Sequence, residues 1–242
     1  MSAYFFSDVH LGLGPKDDER KKEDRLLSFL QSIVAKTSHL FIVGDLFDFW
    51  FEYQTVIPKG FHRTLAKLDE FHSSGIEIHY LIGNHDCWMR DYFASEMGIH
   101  IHNNPFEITV QEKRVYLHHG DGLAQNDLGY RIVKPILRNK VNVWMYRWLH
   151  PDIGVRIAKG TSRSSRTYTS SKHYGEEGGM LKFAKEKIHQ GCDIVVMGHR
   201  HQPNVQTFDG GTYVNLGDWI THNTFGHLKD GVMTLNTWKG KS

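Results

Sequence analysis

The chain has 242 residues and carries 29 Lys and Arg against 27 Asp and Glu, so its formal net charge is +2. With 40% apolar and 23% charged residues, it has the composition of a soluble globular protein with a sizeable core. No apolar run approaches the ~18 residues of a membrane span, and Cys87 and Cys192 alone do not indicate a disulfide framework. Because the first candidate functional residue is Asp8, we expect no cleaved signal peptide and a cytoplasmic protein.

Alternating apolar and turn-forming segments predict a mixed α/β fold. We expect strands at 3–6, 39–43, 76–82, 106–110, 114–117 and 193–197, and helices near 23–35, 61–72, 90–97 and 176–189. The C-terminal part is expected to form hairpins that turn at 209–211 and 229–231. The segment of about 125–175 has a different pattern, which we interpret as a helical insertion over the strand ends within a single domain of residues 1–242.

Charge is distributed unevenly along the chain. Residues 131–172 contain ten Lys or Arg and one acid, a net charge of +9, whereas the remainder carries −7. A basic segment within an acidic protein indicates an anionic partner for that segment. Apolar residues at helical spacing, including Trp144 and Trp148, add an amphipathic character that would suit an amphiphile with a phosphorylated head.

Five of the apolar runs end in short sequences rich in potential metal ligands. These sequences are Ser7-Asp8-Val9-His10, Gly44-Asp45, Gly83-Asn84-His85-Asp86, His118-His119-Gly120-Asp121 and Gly198-His199-Arg200-His201. Residues at i and i+2 of an extended segment lie on the same side, so Asp8 and His10 can bind one ion. A single Asp or His at a strand end is usually a cap. Five such sequences at the edge of an open α/β sheet indicate a metal site.

The ligand types favour two divalent cations. Asp45 can bridge two ions through its two oxygens, and Asn84 offers a neutral oxygen. Imidazole nitrogen is supplied by His10, His119, His199 and His201. Mixed nitrogen and oxygen ligands without thiolate suit Mn²⁺, Fe²⁺ or Zn²⁺. Two such ions about 3.5–4 Å apart acidify a shared water and bind both oxygens of a displacement at phosphorus, so we predict hydrolysis of a phosphoester or phosphoanhydride.

The ordered set D-x-H, G-D, G-N-H-D, H-G-D and G-H-x-H resembles the signature of the calcineurin-like metallophosphoesterases and spans nearly the whole chain. The resemblance implies a four-layer αββα sandwich and two divalent ions, for which we expect Mn²⁺, with Fe²⁺ or Zn²⁺ as alternatives. One ion would be bound by Asp8, His10, Asp45 and His201, and the other by Asp45, Asn84, His119 and His199. His85, paired with Asp86, would stabilise the phosphoryl oxygens or protonate the leaving group.

Within that family the chain looks like the UDP-2,3-diacylglucosamine diphosphatases, which release UMP and 2,3-diacylglucosamine 1-phosphate in lipid A biosynthesis. The narrower likeness rests on Asp8-Val9-His10-Leu11, Gly44-Asp45-Leu46-Phe47, His119-Gly120-Asp121-Gly122-Leu123, Asp127-x-Gly129-Tyr130 and Ser170-Ser171-Lys172. It implies that the insertion is a lid over the acyl chains, with substrate contacts from Asn84, His85, Asp127, Tyr130, Arg163, Ser171 and Lys172. His85 stands where the best-known members have Arg, although His is the general family residue.

The expected partners follow from this likeness. They are a nucleotide-linked glycolipid substrate and, through peripheral contact, the cytoplasmic face of the inner membrane, with no nucleic acid. The alternative enzyme is a metal-dependent phosphodiesterase that acts on nucleotides or nucleic acid and binds their phosphates with Arg163, Arg166 and Lys172. A scaffold without activity is a further alternative, but it would not need all seven ligands. The alternative to a lid is an ordinary basic subdomain whose tryptophans are buried.

Overall fold

The computed structural model describes residues 1–123, 134–157, 160 and 176–240. Its strands are Ser2–Phe6 (β1), Thr37–Val43 (β2), Glu77–Leu81 (β3), His100–His102 (β4), Phe106–Val110 (β5), Lys113–His118 (β6), Ile194–Met197 (β7), Asn204–Phe208 (β8), Gly211–Asn215 (β9), Thr224–Lys229 (β10) and Val232–Thr237 (β11). Its helices are Lys16–Ile33 (α1), His62–Ser73 (α2), Tyr92–Met97 (α3), Lys140–Tyr146 (α4) and Glu176–His189 (α5). Within these ranges no helix is both long enough and apolar enough to cross a membrane.

The described strands form two sheets. The first has the order β11-β10-β1-β2-β3-β4, in which β1 to β4 run parallel and β10 is antiparallel to β1. The second has the order β5-β6-β7-β9-β8, with β6, β7 and β9 parallel. Parallel strands present their carboxyl ends at one edge of a sheet, and the five ligand sequences follow β1, β2, β3, β6 and β7.

The side chains of β1 show how the layers are arranged, because alternate residues face opposite sides of a sheet. Tyr4 and Phe6 belong to a buried cluster with apolar residues of α1, α2 and α3. Phe5 points the other way and belongs to the cluster between the sheets, together with Val196 of β7. The outer face of the second sheet is covered by α5 through Met180. The predicted four-layer αββα sandwich is confirmed.

Helix α1 begins at Lys16, well before the start that apolar spacing predicted near residue 23. Its first turns are polar and follow Pro15, and three acids in the first turn interact favourably with the helix dipole. Lys22 is nevertheless buried, because its ammonium donates to the carbonyl oxygen of His10 at 2.6 Å. The helix therefore supports the first ligand loop with a residue that hydrophobic periodicity does not identify.

Strand β4 was not predicted. It has only three residues, two of them histidines, and therefore lacks the apolar alternation that marks a strand. Its conformation comes from parallel pairing with the edge of β3, where His79 lies opposite His100. Such a strand depends on its partner more than on its own sequence.

Candidate metal centre

The seven predicted metal ligands all lie in the loops that follow β1, β2, β3, β6 and β7. Five of them have a left-handed backbone, with φ between 49° and 69°: Asp8, His10, Asp45, His199 and His201. This conformation is uncommon outside glycine, and it persists where the surrounding structure enforces it. Its concentration in these five residues marks the loops as a functional site.

One group of possible ligands consists of Asp8, His10 and His201, whose donor atoms lie within 4.8 Å of one another. Nε2 of His10 is 3.1 Å from Nε2 of His201, and Oδ1 of Asp8 is 3.3 Å from the latter atom. Among the described residues, this buried Oδ1 has no hydrogen-bond partner. Atoms that bind one ion at about 2.0–2.2 Å lie roughly 3–3.5 Å apart, so the group fits a divalent cation.

A second group consists of Asp45, His119 and His199. Nε2 of His119 lies 3.0 Å from Oδ1 of Asn84 and 3.3 Å from Oδ2 of Asp45. Nδ1 of His119 donates to the Val43 carbonyl oxygen at 2.9 Å, which orients the ring with Nε2 toward these oxygens. The same Oδ2 of Asp45 is 3.7 Å from Nε2 of His10 in the first group. Asp45 therefore lies between the two groups, in the position that a ligand bridging two ions would occupy.

Glycines beside the ligands allow the loops to approach each other closely. A Cβ at Gly198 would lie 2.5 Å from Oδ2 of Asp8, and one at Gly83 would collide with the carboxylate of Asp45. A Cβ at Gly44 would likewise overlap the ring of His119. Any side chain at these positions would displace a candidate ligand. The positions of these glycines directly beside the ligand motifs are consistent with such close packing.

His85 faces Asp48, an acid that the sequence interpretation missed. Nδ1 of His85 donates to the Asp48 carbonyl oxygen at 3.1 Å and lies 3.6 Å from Oδ1 of the same residue. Asp48 also lies 3.5 Å from Nδ1 of His10, so the three residues form a third possible ligand group. Its signal in the sequence was a carboxylate, three residues after Asp45, within an otherwise aromatic run.

The predicted pairing of Asp86 with His85 needs correction. Asp86 is fully buried, and its carboxylate accepts hydrogen bonds from the backbone of Gly83 at 2.7 Å and of Leu46 at 3.0 Å and from the Tyr80 hydroxyl at 2.5 Å. The tight turn directs this side chain back into the fold. Asp86 therefore shapes the loop that carries Asn84 instead of orienting the His85 ring.

Buried charges shift each other's pKa values at this site. Burial alone would lower the pKa of His119, but the Asp45 carboxylate outweighs it and raises the pKa to about 10. Burial also opposes the charged form of His10, but hydrogen bonds to Asp48 and Asp8 raise its pKa to about 9. When no metal is bound, the protonated His10 and His119 therefore place positive charge beside the neighbouring carboxylates. Divalent cations would replace these protons, which supports the fit of the site to metal.

The remaining predicted contacts with substrate fall in the insertion. Asp127, Tyr130, Arg163, Ser171 and Lys172 lie outside the described residues, so their roles stay predictions. In the described part, Tyr146 packs on Phe51 and Trp88 beside the metal-site loops. Trp144 and Trp148 are 56% and 76% exposed, which contradicts the alternative of an ordinary subdomain with buried tryptophans.

Comparison with known proteins agrees with the geometry. The calcineurin-like phosphoesterase family matches residues 1–203. A protein named UDP-2,3-diacylglucosamine hydrolase from Porphyromonas gingivalis is 33% identical over 240 residues, with 92% of each chain covered. Proteins with the same name from Haemophilus ducreyi and Aeromonas salmonicida are 27% and 28% identical, covering 90% and 91% of this chain and 92% and 87% of their own. The chain belongs to the calcineurin-like phosphoesterase family and is a metal-dependent hydrolase.

Proposed function

We propose that the chain hydrolyses the pyrophosphate bond of UDP-2,3-diacylglucosamine to UMP and 2,3-diacylglucosamine 1-phosphate, a step of lipid A biosynthesis. The observation that carries the hydrolytic part is the position of Asp45 between two groups of oxygen and nitrogen ligands. The substrate is proposed from the relatives, which are named UDP-2,3-diacylglucosamine hydrolase and match about nine-tenths of the chain.

The proposed ligand sets are those expected from the family. Asp8, His10, Asp45 and His201 would hold one ion, and Asp45, Asn84, His119 and His199 the other, with Mn²⁺ as the proposed metal. Divalent ions at this site would lower the pKa of water and withdraw negative charge from phosphoryl oxygens. The protein's part is to fix the donors, and the hydrogen bonds from His119 to Val43 and from the His199 amide to Asp8 do so.

His85 is proposed to act on the phosphoryl group. Burial lowers its pKa, so the ring is neutral near pH 7 in the free protein, with the proton on Nδ1 facing the Asp48 carbonyl oxygen. Negative charge on a bound phosphoryl group would favour protonation of Nε2. The ring, protonated at Nε2 by solvent water, would then donate to a phosphoryl oxygen or transfer that proton to the leaving-group oxygen as its bond to phosphorus breaks.

The insertion is proposed to be a lid for the acyl chains within a single domain of residues 1–242. On α4, Val141, Trp144 and Met145 are all more than half exposed, although they are apolar. An exposed apolar surface of this kind marks a binding site. The segment 131–172 carries a charge of +9, which would attract the diphosphate head and anionic lipid at the membrane surface. We therefore also propose peripheral contact with the cytoplasmic face of the inner membrane.

The test is release of UMP from UDP-2,3-diacylglucosamine with Mn²⁺, compared with UDP-glucosamine and with bis(4-nitrophenyl) phosphate. We expect strong preference for the acylated substrate, and loss of that preference in Lys172→Ala with little change toward the aryl diester. Hydrolysis of the aryl diester alone would contradict the substrate but leave a working metal centre, and nucleic-acid substrates would be tested next.

A further inference from the structure

The insertion reaches back to the metal-site loops through a helical turn at residues 134–137. Nζ of Lys134 lies 2.6 Å from Oδ2 of Asp121, and Nη2 of Arg138 lies 3.7 Å from the same oxygen. The Arg138 guanidinium also donates to the Gly83 carbonyl oxygen at 3.1 Å. Two cations of the insertion therefore contact the loops that follow β3 and β6.

A neutral hydrogen bond strengthens this junction. The Trp88 indole N–H donates to the carbonyl oxygen of Leu137 at 2.8 Å. Trp88 follows the ligand loop by two residues, and Leu137 precedes Arg138. The same two segments are thus joined twice, once through a side chain of the insertion and once through its backbone. The Arg138 side chain is 26% exposed, so its contacts with Gly83 and Asp121 are partly shielded from water.

The loop that carries Asn84 has two anchors inside the sandwich. Asp86 accepts from the Gly83 amide at 2.7 Å, and Oδ1 of Asp45 accepts from the His85 amide at 2.9 Å. The Gly83 carbonyl oxygen accepts a further hydrogen bond, from the Arg138 guanidinium of the insertion. Because a peptide unit is planar, fixing this carbonyl oxygen also fixes the amide plane that leads into Asn84.

Asp121 extends the same junction toward His119. It is 5% exposed, and it follows His119 by two residues. Its Oδ2 contacts Nζ of Lys134 at 2.6 Å and Nη2 of Arg138 at 3.7 Å. Asp121 thus connects the loop that carries His119 to two basic residues of the insertion.

We propose that Arg138 is a positioning residue of the metal centre, which orients the peptide before Asn84 and the carboxylate of Asp121 from the insertion. Metal affinity then depends on how the insertion is seated. The inference rests on the proposed metal site and does not require the lipid substrate. If Arg138 only tethered the insertion to the protein surface, its removal would slightly lower the stability of the insertion, since exposed ion pairs contribute little. Metal affinity would then be unchanged.

The test compares Arg138→Met, Arg138→Lys and the control Arg156→Met, which removes the same charge from an exposed position of the insertion. The measurements are Mn²⁺ activation of bis(4-nitrophenyl) phosphate hydrolysis, manganese bound after gel filtration, and the melting temperature. We expect Arg138→Met to weaken the apparent Mn²⁺ affinity about 10–100-fold, the range for partners of metal ligands. Arg138→Lys should recover part of this loss, because an ammonium can pair with Asp121 but is a single point charge.

Wild-type Mn²⁺ activation and turnover in Arg138→Met would overturn the inference, as would an equal loss in Arg156→Met. A melting temperature that falls in Arg138→Met with unchanged Mn²⁺ affinity would show a tether and would also overturn it. If the wild-type protein itself bound no Mn²⁺, the proposed metal site would fail, and this inference with it. That failure is distinguishable because it occurs before any substitution is made.

Discussion

Gly83 offers a steric test of the metal centre, because its missing side chain leaves the space that Asp45 occupies. A Cβ at this position would collide with the Asp45 carboxylate and lie 2.7 Å from the Asp45 backbone nitrogen. Ordinary contact begins near 3.4 Å, so the substitution Gly83→Ala must separate the two loops by several tenths of an ångström. Asp45 cannot rotate away freely, because its Oδ1 accepts a hydrogen bond from the His85 amide.

The displacement acts directly on the proposed bridging ligand. A misplacement of about 1 Å near reacting groups costs about 10²-fold in rate, so we expect turnover in Gly83→Ala to fall by about that factor. Overpacking of a closely packed site typically lowers the free energy of unfolding by about 1–3 kcal/mol. We expect a domain of this size to remain folded after such a loss. Activity should therefore be lost while the protein stays folded.

The assay is Mn²⁺-dependent hydrolysis of bis(4-nitrophenyl) phosphate, with bound manganese and the melting temperature measured on the same samples. Gly160→Ala is the matched control, because a Cβ at that position would meet no atom within 4 Å. We expect the control to behave as wild type. Wild-type turnover and manganese content in folded Gly83→Ala would refute the tight placement of Asp45 on which the bridging role depends.

Three further predictions concern the same site. Asp45→Ala and Asn84→Ala should each abolish hydrolysis without unfolding the chain, as measured by turnover and circular dichroism; activity retained in either would contradict the two-metal assignment. His85→Ala should keep its manganese but turn over about 10²–10⁴-fold more slowly, the range for a lost general acid; loss of metal would show that His85 is a ligand. The pKa values of His10 and His119 are raised to about 9 and about 10 in the metal-free protein, so these rings hold protons below that range and metal must displace them. Mn²⁺ affinity, measured by calorimetry between pH 6 and 9, should therefore rise with pH, and a flat profile would argue against ligation by these rings.

Much of the fold could be predicted because strand and helix signals are local. The helix at Glu176–His189 and the hairpins that turn after Phe208 and Lys229 have the positions that periodicity and glycine placement predicted. Local signals failed where a tertiary partner determines the conformation. The polar first turns of α1 and the short strand β4 carry no apolar pattern, and they are stabilised by Lys22 contacting His10 and by pairing with β3.

For the site, the sequence by itself determined the types and order of the candidate ligands, because five strand ends with Asp, His and Asn leave little other chemistry available. The tertiary structure decided how these side chains are arranged: Asp48 faces His85, Asp86 turns into the fold, and Arg138 contacts the Gly83 carbonyl oxygen. The physical reason is that motifs name residues near each other along the chain. The hydrogen bond from His85 to Asp48 spans 37 positions of the chain, and that from Arg138 to Gly83 spans 55. Such contacts form only when the sheets and the insertion pack together.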